Sequence, residues 1–289
     1  MGFVGVTSER APYLPFMDAP AGTFRWRLGV RPLDLRDWIE LGPDADAAIA
    51  AKSQLNHDHA DTVFATMPDT EPEAAEVADA LLEHLQSRWP ERSFELDANL
   101  HPLDAAARLV PEDLALLVER DGQMVFGAGS ICFPNRWDLK SKIGLPLAAV
   151  HAPVAKLNEQ LEAPIDKFFD RLAPERSFWR LGWGVLDTAD WYTPLDGSAD
   201  PRPVAPMPGE YFLRVERETL RRFPRTNAVL FTIRTHVTPI RAVAGDPEVA
   251  GRLADALAAL PIEVQEYKDV ASTSEAIVDL LHIAATNTR

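Results

Sequence analysis

The side chains able to hold a metal are unevenly supplied: there are seven histidines but only one cysteine, Cys132. The chain alone offers no disulfide and no thiolate cluster for zinc or iron–sulfur. A metal would arrive mostly through histidine, carboxylate or a prosthetic group. His57 and His59 lie in Asn56-His57-Asp58-His59 on a polar helix, and His84 lies among exposed helix residues, so all three read as solvated surface. His101 and His282 have no supporting context. His151 differs: Leu147–Val150 precede it, Pro153 and Val154 follow, and Pro146 and Pro153 stiffen the loop and fix the direction of the ring. On residue type alone, such a histidine is more often structural than ligating. His236 is its rival, projecting with Thr232 and Arg234 from the polar face of a strand. Cys132 falls inside an apolar strand, where an inert core thiol is the ordinary outcome.

A second kind of chemistry lies in paired charges. On a strand from Tyr211 to Glu218, Arg214 and Glu216 share one face and Arg217 takes the other. The commonest result of that pattern is a cross-strand salt bridge.

The elements that must position these residues follow from periodicity. Residues 43–60 read as a polar helix and 71–88 as a clearer one, with Glu73 and Glu76 near its positive end. Leu114–Val118 and Met124–Phe133 form a hairpin about Asp121-Gly122. A helix runs from about Lys156 to Leu172 and is strained by Pro164. Tyr211–Glu218 and Ala228–Val237 are two strands joined by a turn at 224–227, and helices at about 246–259 and 274–286 close the chain. Ala11–Arg31 reads as an extended arm rich in proline and aromatics, and Pro194–Pro208 as a surface loop. Hairpin-linked strands with flanking helices predict an α+β fold with an antiparallel sheet. The whole of 1–289 reads as one domain, with the arm and helices up to about residue 100 and helices from about 245 as decorations.

A net charge of -15 argues against generic nucleic-acid binding, which needs a basic surface. The first 15 residues lack the basic and apolar regions of a secretory signal. No apolar run approaches the roughly 18 to 20 residues of a membrane span. The expected location is cytoplasmic.

Several blocks, in order, carry a resemblance. They are Gly29-Val30-Arg31-Pro32-Leu33-Asp34 with Trp38, Glu112-Asp113-Leu114, Cys132-Phe133-Pro134-Asn135-Arg136-Trp137 with Lys142, Gly144-Leu145-Pro146-Leu147 with Val150-His151-Ala152-Pro153-Val154, Leu213 to Pro224, and Leu230-Phe231-Thr232-Ile233-Arg234-Thr235. Together they resemble the haem-dependent oxidative N-demethylase α-subunit-like family over about residues 12–240. Two positions depart from the family pattern: Gly182 stands where asparagine is expected in Arg180-Leu181-Gly182-Trp183, and Ala155 replaces a proline.

The resemblance implies a PAS-like fold and a haem b cofactor. It implies His151 as axial ligand of the iron, with His236 as the rival, and Arg136 and Lys142 as partners of the haem propionates. Trp137, Trp179, Trp183 and Trp191 are mostly core residues by type, and some would wall the slot. Arg214, Glu216 and Arg234 are the expected catalytic set, binding a small ammonium substrate and organising protons beside dioxygen. The implied reaction is oxidative N-demethylation of a small secondary or methylated amine. Electrons would come from a separate reductase, because this chain shows neither a dinucleotide fingerprint nor iron–sulfur cysteines; any flavin or iron–sulfur centre belongs to that partner. The alternatives are a non-catalytic haem sensor of gas or redox state, or an interaction subunit without haem.

Overall fold

The computed structural model describes Tyr13, residues 24–195 and residues 207–286. Much of the arm and of the loop at 194–208 therefore lies outside the described residues. The strands are β1 (Arg31–Leu33), β2 (Phe64–Thr66), β3 (Asp113–Arg120), β4 (Gln123–Ser130), β5 (Ser177–Leu186), β6 (Phe212–Arg222) and β7 (Val229–Pro239). They form one antiparallel sheet in the order β1-β5-β6-β7-β3-β4-β2. The helices are α1 (Ala45–Asp58), α2 (Ala60–Val63), α3 (Glu71–Arg88), α4 (Pro102–Ala107), α5 (Leu147–His151), α6 (Leu157–Arg171), α7 (Ile240–Val243), α8 (Pro247–Ala258), α9 (Ile262–Tyr267) and α10 (Ser274–Thr286). The expected α+β arrangement with an antiparallel sheet is what forms. Among the described residues, no helix is long and apolar enough to cross a membrane.

Both faces of the sheet are buried, which explains why Leu114–Val118 is an unbroken apolar run rather than an alternating one. Leu114, Leu116 and Leu230 pack with Trp38, Leu81 and Leu85 on the side of α3. Ala115, Leu117 and Val229 pack with Phe168, Phe169 and Phe178 on the side of α6. The hairpin forms where expected, with Asp121 and Gly122 both at positive φ (52° and 76°), the conformation that a two-residue hairpin turn demands. Around Val185, Leu213 and Val215 a further core extends to α8 and α10 through Leu253, Leu257, Ile277 and Leu281.

Some expectations are corrected. β4 stops at Ser130, so Cys132 and Phe133 lie beyond it; their amides donate to the Asp113 carboxylate at 2.9 and 2.8 Å. Glu76 was assigned to the positive end of its helix. Its buried carboxylate instead accepts from the Arg225 and Thr226 amides at 2.9 and 2.8 Å and fixes the β6–β7 turn. The periodicity reading contains no strand at 177–186, where β5 runs. Arg180, Gly182 and Gly184 interrupt its apolar pattern, yet Trp179, Leu181, Trp183 and Val185 keep the period-two signal.

Candidate functional site

Cross-strand register sorts the candidate residues onto the two faces of the sheet. Arg180, Gly182 and Gly184 of β5 lie opposite Glu218, Glu216 and Arg214 of β6, and Phe178 on the same face touches Phe168 of α6. Arg214 and Glu216 therefore lie on the α6 face. His236 pairs with Val215, and Arg234 with Arg217, so both point to the α3 face. The sheet separates Arg234 from the other two members of the expected catalytic set.

Arg214 is 1% exposed and ties three elements together. Its Nε donates to Glu216 Oε1 at 2.7 Å, and one terminal nitrogen donates to the Phe133 carbonyl at 2.6 Å and to Thr235 Oγ1 at 3.0 Å. The other terminal nitrogen is buried without a hydrogen-bond partner. Glu216 and Arg214 are bonded along one strand, not across strands. Next to them Glu218 Oε2 meets Arg180 Nε at 3.1 Å, and burial raises the Glu218 carboxyl above its ordinary pKa. Gly182 makes that seat possible: a Cβ there would stand 2.8 Å from Glu218 Oε1 and 3.4 Å from Glu216 Oε2. Gly184 is buried, yet a Cβ there would meet nothing within 4 Å. The α6 face of β5 thus presents a strip without side chains, flanked by two carboxylates and two guanidinium groups.

His151 ends α5, whose Leu147 and Val150 pack into the apolar cluster of the α6 face. Its Nδ1 is buried with no hydrogen-bond partner. Burial lowers its pKa to about 4, helped by the charges of Arg180 and Lys142, so the ring is neutral near neutral pH. Lys142, half-buried, makes no ion pair among the described residues. Arg136 is committed elsewhere, to Asp187 at 2.5 Å and to Asp269. Trp137 packs on Phe126 within the α6-face cluster. Cys132 is fully buried and its thiol is pushed up to about 12 by burial, which disfavours a ligating thiolate.

On the α3 face, His236 Nε2 lies 3.2 Å from Glu40 Oε2 and its ring 5.9 Å from that of Tyr13. Arg234 pairs with Asp44 at 2.6 Å. Glu112 is fully buried beside them, and burial pushes its carboxyl up to about 7, against the pull of Arg234. A carboxyl whose folded pKa exceeds its unfolded value of 4.5 keeps a proton that the unfolded chain releases. Its contribution is complete below about pH 4.5 and is lost as pH rises to about 7. Glu112 by itself should therefore lower the unfolding free energy by about 2–3 kcal/mol over that window, against the opposite trend of the buried histidines. Glu112→Gln should flatten this segment when denaturant midpoints are measured from pH 4.5 to 8. Parallel profiles for the two proteins would refute the assignment.

Two groups of the α6-face site escaped the sequence reading, Arg180 and Glu218, as did Lys268 at the edge of β5. The first two sit in quoted blocks, and placing β5 in register with β6 would have brought them together. Lys268 follows α9 in a polar stretch with no motif, and nothing in the sequence points to it. Its Nζ donates to the Trp183 carbonyl at 2.6 Å.

A family model described as haem-dependent oxidative N-demethylase, alpha subunit-like, matches residues 29–278. The description names a haem, and the α6 face can be tested against one. Among the described residues, no group of three or more histidine, cysteine or acidic side chains is placed to hold a bare metal ion. A haem asks for less: one neutral imidazole, an apolar flat-walled slot and cations for its acidic edge. His151 offers an unpartnered ring nitrogen, Gly184 an open position, Phe168, Phe169, Phe178 and Phe231 apolar walls, and Arg180 and Lys142 the charge. The residues fit the group. With the match running from β1 into α10, the chain belongs to the haem-dependent oxidative N-demethylase, alpha subunit-like family.

Proposed function

We propose that this protein is the haem-binding component of an oxidase that demethylates a small secondary or N-methylated amine. The observation that carries the reading is the α6 face itself. There a neutral, half-buried imidazole with a buried, unpartnered Nδ1 shares one surface with the open position at Gly184 and the Glu216–Glu218 pair. The sheet with α5 and α6 laid over it is read as PAS-like. His151 would hold the iron, Arg180 and Lys142 would meet the acidic edge of the haem, and Trp137 would belong to the aromatic wall. Arg136, already held by two carboxylates, has a structural part.

Haem b, when bound, supplies the activation of dioxygen. Overall, the N-methyl amine, dioxygen, two electrons and two protons give the demethylated amine, formaldehyde and water. The protein's share is to bind the amine and manage its proton. A secondary amine is an ammonium ion near neutral pH and must lose that proton before its methyl group is oxidised to an iminium, which water then cleaves. Glu216, oriented by Arg214, accepts a hydrogen bond from the ammonium. Glu218, made more basic by burial, takes the proton. Arg234 is assigned to folding on the α3 face. The family description's "alpha subunit" supports a partner chain, and the electrons are assigned to it, with any flavin or iron–sulfur centre.

The test is formaldehyde release. Haem-supplied protein, given excess chemical reductant and air with a panel of methylated amines, should release formaldehyde from the best substrate well above the haem-free protein, at two electrons per formaldehyde. Haem uptake with no formaldehyde from any amine would leave a sensor and end the oxidase reading.

A further inference from the structure

The outer edge of β5 carries a feature that the haem reading leaves unused. β1 covers only Ser177–Trp179, so from Arg180 onward that edge has no neighbouring strand among the described residues. Residues 24–29 run beside it without joining the sheet and leave a cleft of about 180 Å³. Among the described residues the lining includes Arg25, Arg27, Arg180 and Lys268 and no acidic residue, in a chain of net charge -15, and of these Arg180 is paired with Glu218 at 3.1 Å. Positive charge is therefore concentrated here against the overall balance. The wall opposite β5 is a fixed one: Trp26 donates through Nε1 to the Ala155 carbonyl at 2.9 Å and through its amide to Gln160 Oε1 at 3.0 Å.

Lys268 is half-buried and held in place. Its ammonium lies 5.3 Å from the Trp183 ring centre and caps that residue's carbonyl. Burial lowers it to about 8, with Glu216 and Glu218 opposing the shift and Arg180 adding to it. An arriving anion would return the stabilisation that burial removes. The remaining wall, with Trp26, Trp183, Leu181 and Leu260, is apolar and suits a flat body. The volume lies below the roughly 300–1,000 Å³ of drug-sized ligand pockets, so the ligand is small.

We propose that this cleft binds a small planar organic anion, its carboxylate held by Arg25, Arg27 and Lys268 and its ring set against Trp26 and Trp183. The carboxylate has two sources, a free ligand or the propionate edge of a haem seated on the α6 face, since Arg180 serves both surfaces.

Benzoate is the probe, with benzamide as its neutral isostere, titrated against the full haem-free chain at low salt and followed by tryptophan fluorescence and calorimetry. Benzoate should saturate a single site at least about tenfold more tightly than benzamide, and salt should weaken it. Lys268→Gln should weaken it about tenfold. Should that variant fail to fold, the exposed pair Arg25→Gln/Arg27→Gln carries the test, with a loss of about tenfold together. Equal binding of benzamide, or unchanged benzoate affinity in the double arginine variant, overturns the proposal. Repeating the titration on haem-loaded protein separates the sources: retained benzoate binding assigns a free ligand, and excluded binding assigns the propionate. No benzoate binding in either form also overturns it. The haem-free titration does not depend on His151 or on any turnover, so failure of the oxidase reading leaves it intact.

Discussion

Purified from cells supplied with excess haem, His151→Ala is expected to lose its Soret absorbance by roughly tenfold or more relative to wild type, while His236→Ala keeps it. Removal of groups that merely support a metal ligand typically costs 10–100-fold in affinity, and the ligand itself should cost at least as much. The two histidines lie on opposite faces of the sheet. His236 already faces Glu40 Oε2 at 3.2 Å, whereas His151 Nδ1 has no partner. His151 is also held neutral by a pKa lowered to about 4, so no proton competes for its lone pair above that pH. The same shift gives a control independent of haem. A histidine whose folded pKa is depressed supports the fold fully above its unfolded value of 6.5 and loses that support as pH falls to about 4. Haem-free His151→Ala should therefore lose less stability between pH 6.5 and 4 than wild type. A Soret band that survives in His151→Ala and vanishes in His236→Ala would move the ligand to the α3 face and dismantle the site described above.

The apolar setting of His151 was legible in the sequence because its constraints are local: two prolines and an apolar run flank the ring. The strand parity of Arg214, Glu216 and Arg217 was legible for the same reason, since alternation needs no tertiary knowledge. The separation of Arg234 from Arg214 was not legible. Parity within β7 says that Arg234 and His236 share a face, but only the β6–β7 register says which face of β6 they join. β5 was lost because arginine and glycine at alternate positions weaken its pattern. Gly182 and Gly184 are poor strand formers, and the clearance at Gly182 for the Glu218 carboxylate is a reason to find glycine there. That position is also one of the two where the chain departs from the family pattern, so the departure and the carboxylate share one explanation. Lys268 is reached only through the packing of the α9 end on β5, a contact between residues 85 positions apart.

Arg214→Met is the substitution expected to cost the fold most within the site. The methionine fills most of the volume of the aliphatic stem, so the loss isolates the guanidinium. Three bonds disappear, to Glu216, to the Phe133 carbonyl and to Thr235 Oγ1. The carbonyl and the hydroxyl are buried and remain without that donor, which is the costly half of removing one partner. Breaking a buried charge pair costs about 3–5 kcal/mol. The Glu216 side chain is 23% exposed and regains water, so about 3 kcal/mol is the better expectation. For a chain of this size that corresponds to a fall in Tm of roughly 6–12 °C. Arg214→Lys should recover only part of it, because a point charge cannot hold a carboxylate, a carbonyl and a hydroxyl in three fixed directions. A double-mutant cycle with Glu216→Gln divides the loss: a coupling of about 1 kcal/mol would place most of it in the two buried acceptors. If Arg214→Met melts with wild type, the tie between β6, β7 and the Phe133 loop is not what holds Glu216 in place. The ammonium-binding role given to that carboxylate would then lose its physical basis.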